Sequence, residues 1–353
     1  MLSRWIMRGF GGNCDARRKL IGIFTMAKTM RSMQITELGR PAEMRELPVP
    51  APGDREVLLR ILAVGANFAD LLIAKGAYQV KPEPPFALGM EACGIVDRVG
   101  AGVENLSVGQ RVVAFGSHGA LSEFACYPES SCTAIPDSMA ARHAACFQIA
   151  YGTSHVALEH RARLKSGERL LVLGAAGGVG RTAIEIGRLM GAEVIAAARG
   201  AEKLAIAEQA GAQHLLDTAT ADIRVEVKRL GGADVVYDPV GGDLFKAALR
   251  AANPDGRLIP VGFASGEIPN IPANILLVKN LTVIGFFWGG YFNYKPSIPA
   301  GSMQKLFAWY EDGQLKPHIC AVFEFEKANR AFEKLGNRTA TGRIVIDVGE
   351  ANS

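Results

Sequence analysis

The chain has 353 residues, about twice an ordinary domain length, so two domains with two substantial cores are expected. Hydrophobic residues make up 49% and charged residues 21%, an ordinary globular composition, and no stretch approaches the roughly 18 consecutive apolar residues of a membrane span. The net charge of +4 is small and, past the N-terminus, the basic residues are dispersed, so neither a membrane nor nucleic acid is an expected partner.

Residues 1–32 read as a leader. Up to residue 31 it carries Arg4, Arg8, Arg17, Arg18, Lys19, Lys28 and Arg31 against the single acid Asp15, a composition superficially like an organelle transit peptide. Met30 and Met33 are both start-like and strand-like sequence begins at Gln34, so the leader is expected to be disordered or non-native sequence rather than a targeting signal. Short strands follow at Glu56–Ala66, Gly94–Val99, Arg111–Phe115 and Glu123–Tyr127, separated by Gly and Pro clusters, the pattern of an irregular antiparallel β domain.

From about residue 165 to 290 the pattern changes to strands alternating with helices. Strands are expected at Arg169–Ala175, Glu193–Ala198, His214–Leu216, Asp234–Asp238, Arg257–Gly262 and Leu281–Phe287. Helices fall between the first five, at about 179–190, 201–210, 221–230 and 243–252, and end on Gly or Asn-Pro signals. This rhythm predicts an α/β fold with a doubly wound parallel sheet. The tail offers a helix over about 327–335 and a strand over Arg343–Val348, too little to fold alone, and is expected to complete the first domain. The six cysteines form no CxxC pair and no disulfide framework, which favours a reducing, cytoplasmic setting.

The loop Gly174-Ala-Ala-Gly-Gly-Val-Gly180 joins the first of these strands to its helix. Backbone N–H groups and the helix N-terminus converge on a pyrophosphate only in that context. Gly174 closes the strand, Gly177 and Gly178 let the backbone approach phosphate, and Gly180 allows close helix packing, with Ala176 and Val179 completing the loop. The alternative is a tight turn with no ligand. An NAD enzyme would carry Asp or Glu at the end of the second strand, where this chain reads Ala197-Ala198-Arg199-Gly200. Arg199 and, one turn on, Lys203 suit a 2′-phosphate, so NADPH is the expected cofactor; Lys203 as an ordinary solvated helix residue is the alternative.

Segments along residues 33–348 resemble the medium-chain dehydrogenase/reductase superfamily, specifically the zinc-free NADPH:quinone oxidoreductases of the zeta-crystallin type. They are GANFADLLIAKGAY (65–78), GMEACGIVDRVGAGV (89–103), GERLLVLGAAGGVG (167–180), DPVGG (238–242) and ATGRIVIDV (340–348). The resemblance implies a GroES-like catalytic domain over 33–155 and 299–353 and a Rossmann NADP-binding domain over 156–298. Glu185 stands where the family expects Gln and reads as a minor change on the helix surface. Zinc-dependent relatives place Cys and His where this chain has Asn67 and Met90, and Met is a poor zinc ligand, so no metal is expected. The histidines form no ligand spacing either.

A quinone or conjugated enone needs less help from a Lewis acid than an isolated carbonyl, because its developing anion is delocalised. Hydride transfer from NADPH to such an acceptor is therefore expected. The resemblance places Asn67, Tyr78 and Thr153 near the nicotinamide, with Gly241, Gly262, Phe263, Ala264, Phe286, Phe287, Trp288 and Arg338 completing the cofactor cleft. Tyr78 is the candidate proton donor, since a phenol can hydrogen-bond an incipient oxyanion; an aromatic that merely covers the nicotinamide is the alternative, as a turn cap is for Asn67. The aromatic segment after the last strand reads as a substrate wall or as part of a homodimer interface through that strand. Rival functions are an enone or enoyl-thioester reductase and a protein that binds NADPH without turnover.

Overall fold

In the computed structural model, which describes residues 28–349, strands β1 (Thr29–Ile35), β2 (Glu43–Pro48) and β4 (Phe86–Ala87) form a small antiparallel sheet in the order β2-β1-β4. The long strand β3 (Glu56–Ala66) anchors a second, seven-stranded sheet with β5 (Glu91–Val99), β6 (Arg111–Phe115), β7 (Phe124–Pro128) and β8 (Cys132–Ala134). β3 is buried over nearly its whole length because it pairs with β5, β7 and a strand from the tail. The β domain expected from the Gly- and Pro-punctuated strands is present.

β1 begins at Thr29 and pairs with β2 from its first residue, so the strand expected from Gln34 starts earlier and takes residues 29–32 out of the leader. Residues 1–27 of the leader lie outside the described residues.

The second domain is a six-stranded parallel sheet built from β9 (Arg169–Leu173), β10 (Glu193–Ala198), β11 (His214–Asp217), β12 (Ala233–Asp238), β13 (Ala252–Pro260) and β14 (Thr282–Val283). Its order, β11-β10-β9-β12-β13-β14, is the 3-2-1-4-5-6 of the Rossmann fold, which opens a crevice between β9 and β12 where the winding reverses. Central strands buried on both faces read as continuous apolar runs: Leu170 to Leu173 and Val194 to Ala197 are inaccessible to solvent. The helix Gly178–Leu189 packs so closely on the sheet that a β-carbon at Gly187 would lie 2.5 Å from Leu170 Cδ2.

The last expected strand, Leu281–Phe287, shrinks to Thr282–Val283, and Phe286 to Trp288 leave the sheet. The helix Ser297–Glu311 was hidden by its own start: Pro299 falls in the first turn, where the amide it lacks has no intrahelical acceptor to lose. The tail contributes two strands, β15 (Ile319–Glu324) and β16 (Arg343–Asp347), and β16 pairs antiparallel with β3 in the seven-stranded sheet. Helix Gln148–His155 packs both on the helix Gly178–Leu189 and on the helix Ser297–Glu311.

Candidate active site

Gly174 follows β9 with φ +58°, a left-handed conformation that favours glycine, and a β-carbon there would lie 2.8 Å from Val240 Cγ2. Gly177 turns the chain into the helix Gly178–Leu189, and its N–H donates back to Gly174 O at 2.9 Å. That helix has no side-chain cap, so the N–H groups of Gly178, Val179 and Gly180 face its mouth without intrahelical acceptors. A β-carbon on Gly180 would collide with Gly174 O, and Ala176 is buried behind the turn. An open helix N-terminus at the strand-order reversal fits a dinucleotide pyrophosphate.

Two further loops close over this point. Asp238, buried at the end of β12, accepts from Val240 N at 2.7 Å and from Gly241 N at 3.0 Å, and burial pushes its carboxyl up to about 6 against those two bonds. Gly241 takes φ +73°, and the loop after β13 is zipped to it: Gly262 N donates to Asp238 O, Ala264 N to Pro239 O at 3.1 Å and Ser265 N to Val240 O at 2.9 Å. Phe263 lies against Gly241, 3.2 Å from where a β-carbon would sit. Asp238 was absent from the candidates, although it opens the DPVGG segment; only its burial reveals that it holds the loop.

At the ribose end, Arg199 is exposed and Lys203 Nζ donates to Arg338 O at 3.2 Å, while Arg338, at φ +57°, donates to Ser265 O at 3.4 Å. The structure therefore brings Arg199, Lys203 and Arg338 to one mouth. It also brings an acid that the sequence reading missed. Asp217, ending β11, accepts from Gly200 N at 3.0 Å and Ala219 N at 2.9 Å; these bonds, with Arg199 nearby, hold its carboxyl below the usual range. It lies on the adjacent strand rather than at the end of β10, so sequence spacing gave no signal of it.

On the catalytic-domain side, Asn67 precedes the helix Phe68–Ala74, and its backbone N donates to Asp70 Oδ2 at 2.8 Å. Its amide nitrogen donates to Gly65 O and Glu91 Oε1, and its oxygen accepts from Arg343 Nη1 at 2.9 Å. Both amide hydrogens are thus engaged, which makes Asn67 a positioning group rather than a donor to substrate. Arg343 also bonds Glu91, whose second oxygen accepts from Ile149 N at 2.9 Å. A β-carbon at Gly178 would lie 3.0 Å from Arg343 Cδ, so this buried cluster abuts the phosphate loop. Glu91 and Arg343 were missed as site residues even though both lie in the segments carrying the resemblance. Among the described residues, no group of three or more His, Cys, Asp or Glu side chains is placed to hold a metal ion.

Burial raises Glu91, with Arg343 opposing, and pushes Asp70 up to about 7, with Asn67 N opposing and Glu91 adding to the rise. An acid raised on folding binds more protons in the folded than in the unfolded chain, so its contribution to stability is greatest below pH 4 and falls as pH climbs toward 7. Asp70→Asn should flatten the stability profile between pH 4 and pH 7, as read by urea melts at each pH; an unchanged slope would refute this assignment.

Tyr78 meets Phe287 edge to face at 6.3 Å across the cleft, and burial, then the charge of Asp70, raises its phenol. Phe287 is 44% exposed and faces this opening, whereas Trp288 is buried against Phe115 and Phe292 with Gly152 beneath its ring. Trp288 and the half-buried Phe286, which leans on Tyr291, therefore act chiefly as backing. Thr153 lies on the same helix as Gly152 and is buried beside Ser154, which bonds Tyr237 and Thr182. Glu185 is not on a helix surface: it is buried and bonds Tyr151 Oη at 2.6 Å and Arg181 Nη1 at 2.7 Å. A carboxylate is tolerated there because both neighbours donate to it.

Residues 53–137 match the alcohol dehydrogenase GroES-like domain and residues 178–306 the zinc-binding dehydrogenase family. With the Rossmann order and the β domain, they define a two-domain medium-chain dehydrogenase/reductase. The chain is 39% identical over 330 residues to the quinone oxidoreductase-like protein 2 homolog of Nematostella vectensis, covering 92% of this chain and 90% of that one. It is 31% identical to the human synaptic vesicle membrane protein VAT-1 homolog, covering 87% and 82%. The Thermus thermophilus quinone oxidoreductase, whose structure is also known in complex with NADPH, superposes with a TM-score of 0.79 at 32% identity, covering 90% of this chain and all of that one. The chain belongs to the quinone oxidoreductase-like family of the medium-chain dehydrogenase/reductase superfamily.

Proposed function

We propose that this chain is an NADPH-dependent reductase that transfers hydride to a quinone or similar conjugated carbonyl without zinc. The observation that carries the reading is the uncapped helix at Gly178 flanked by the Arg199, Lys203 and Arg338 mouth. The helix N-terminus and loop glycines would hold the pyrophosphate, and the cations the 2′-phosphate. NADPH, when bound, supplies the hydride. Asn67, Glu91 and Arg343 fix the cleft floor, and Phe287 with Tyr78 narrows its opening and excludes water. The structure of a relative with NADPH supports this choice of cofactor.

Tyr78 separates the two acceptor classes. A quinone accepting hydride yields a stabilised anion that needs no positioned acid, whereas an enone gains from a phenol within reach. The raised Tyr78 keeps its proton at neutral pH. Tyr78→Phe should lower kcat for an enone or enoyl thioester on the order of 10–100-fold and leave quinone reduction within about threefold. Equal loss on all acceptors would make Tyr78 a cover over the nicotinamide. NADPH and NADH oxidation against a quinone, an enone and an enoyl thioester tests the whole reading: NADPH-specific quinone turnover is expected, and NADPH binding without turnover on any of the three overturns it in favour of a binding protein.

The same reading includes a homodimer through the last Rossmann strand. β14 is the edge of its sheet, and Leu277 and Val278 on the helix beside it are 76% and 73% exposed. No helix among the described residues is long and apolar enough to cross a membrane. Among the described residues, the cysteines at 93, 126, 132, 146 and 320 form no disulfide with one another.

A further inference from the structure

At the end of the parallel sheet opposite the nucleotide loops lies a cavity of about 520 Å³. Arg257 lines it from β13, level with Val235 and Leu170 near the starts of β12 and β9, whereas Gly174, Gly241 and Gly262 follow the other ends of these strands. Five more basic side chains share the wall: His160 and Arg161 from the turn Val156–Arg161, Arg163 and Lys165 from the loop into β9, and Lys295 beyond the aromatic segment. Among the described residues, no Asp or Glu lines it. Glu159, beside His160, is turned to Lys305 and His155, and Glu168 is paired with Arg257 at 2.6 Å.

Arg161, Arg163, Lys165 and Lys295 make no ion pair among the described residues. Arg161, Arg163, Lys165 and Lys295 are exposed around one concavity, so their like charges repel one another and set up a positive field in the water-filled space between them that added salt screens. Two of the guanidinium groups are held in place: Arg161 donates to Gly285 O at 2.9 Å and Arg257 to Ala162 O at 2.8 Å. Arg163 takes φ +51°, an uncommon conformation for a residue with a β-carbon, and its carbonyl accepts from Arg257 at 3.3 Å. The strained loop is thereby fastened to the same guanidinium that lines the cavity.

We propose that this cavity is an anion site for a di- or triphosphate group, either free pyrophosphate or the polyphosphate of a nucleotide. Its volume suits a small molecule. Guanidinium forks grip phosphate oxygens in pairs and lysines add point charges, and several cations call for a ligand with several negative charges rather than one carboxylate.

The test is calorimetric titration of the full chain, its nucleotide cleft filled with saturating NADPH, with pyrophosphate and with ADP at low ionic strength. The variants are Arg163→Glu/Lys165→Glu in the cavity and Arg199→Glu/Lys203→Glu in the nucleotide cleft. Saturable one-to-one binding is expected, weakened at least tenfold by the cavity pair, unchanged within about twofold by the cleft pair, and reduced by added salt. Equal affinity for the two probes identifies a free-anion site; ADP binding at least tenfold tighter identifies a nucleotide site. Absence of saturable binding, or loss on the cleft pair instead of the cavity pair, overturns the proposal. Circular dichroism and thermal melting of the cavity variant, both expected unchanged, separate a lost site from a lost fold.

Discussion

Arg343→Met is expected to destabilise the protein by about 3–5 kcal/mol, the range for removing one partner of a buried ion pair. The guanidinium is buried, bonds both Glu91 and Asn67, and is the cation that offsets the burial of the Glu91 carboxylate. Methionine fills similar volume but leaves Glu91 with Asn67 Nδ2 and Ile149 N as its donors. Chemical denaturation of the purified variant measures the loss. Adding Glu91→Gln should recover part of it, because the uncompensated charge is then gone. A single-variant loss below about 1 kcal/mol would mean that the cluster is hydrated rather than sealed.

Lys203→Glu should raise the Kd for NADPH on the order of 100-fold while leaving NADH within about threefold. The substitution removes one cation at the mouth shared with Arg199 and Arg338 and replaces it with an anion, so only a ligand carrying the additional phosphate experiences the change. Asp217 makes the effect larger, since its carboxylate is fixed beside Gly200 and would stand with the new glutamate against the phosphate. Fluorescence titration with both nucleotides reads the outcome directly. Equal weakening of the two would remove Lys203 from the 2′-phosphate site and leave Arg199 as the cation to test next.

The two substitutions differ in how visible their targets were. Arg199 and Lys203 follow a strand at the spacing the nucleotide fold prescribes, so local pattern was enough to single them out as candidates. Arg343 and Glu91 lie 252 residues apart in the chain, and only the pairing of β16 with β3 and of β3 with β5 brings them together. The same distinction explains Glu185, which reads as a surface residue along its helix until the packing of Tyr151 buries it.

The sequence by itself determined the alternation of strands and helices, the Rossmann sheet they form, the glycine-rich turn from Gly174 to Gly180 between strand and helix, and the position of Arg199 and Lys203 after β10. Each depends on residues close in the chain, where backbone conformation and hydrophobic period are set locally. Tertiary structure alone decided which polar groups are sealed from water, Asp238 beneath its loop and Asn67 with both amide hydrogens engaged, and it alone set Asp217 beside Gly200. It also turned Phe287 toward Tyr78 and Trp288 into the core, and gathered six basic side chains around one cavity. Burial and charge proximity are properties of the packed chain, fixed by contacts between distant segments, and no local pattern encodes them.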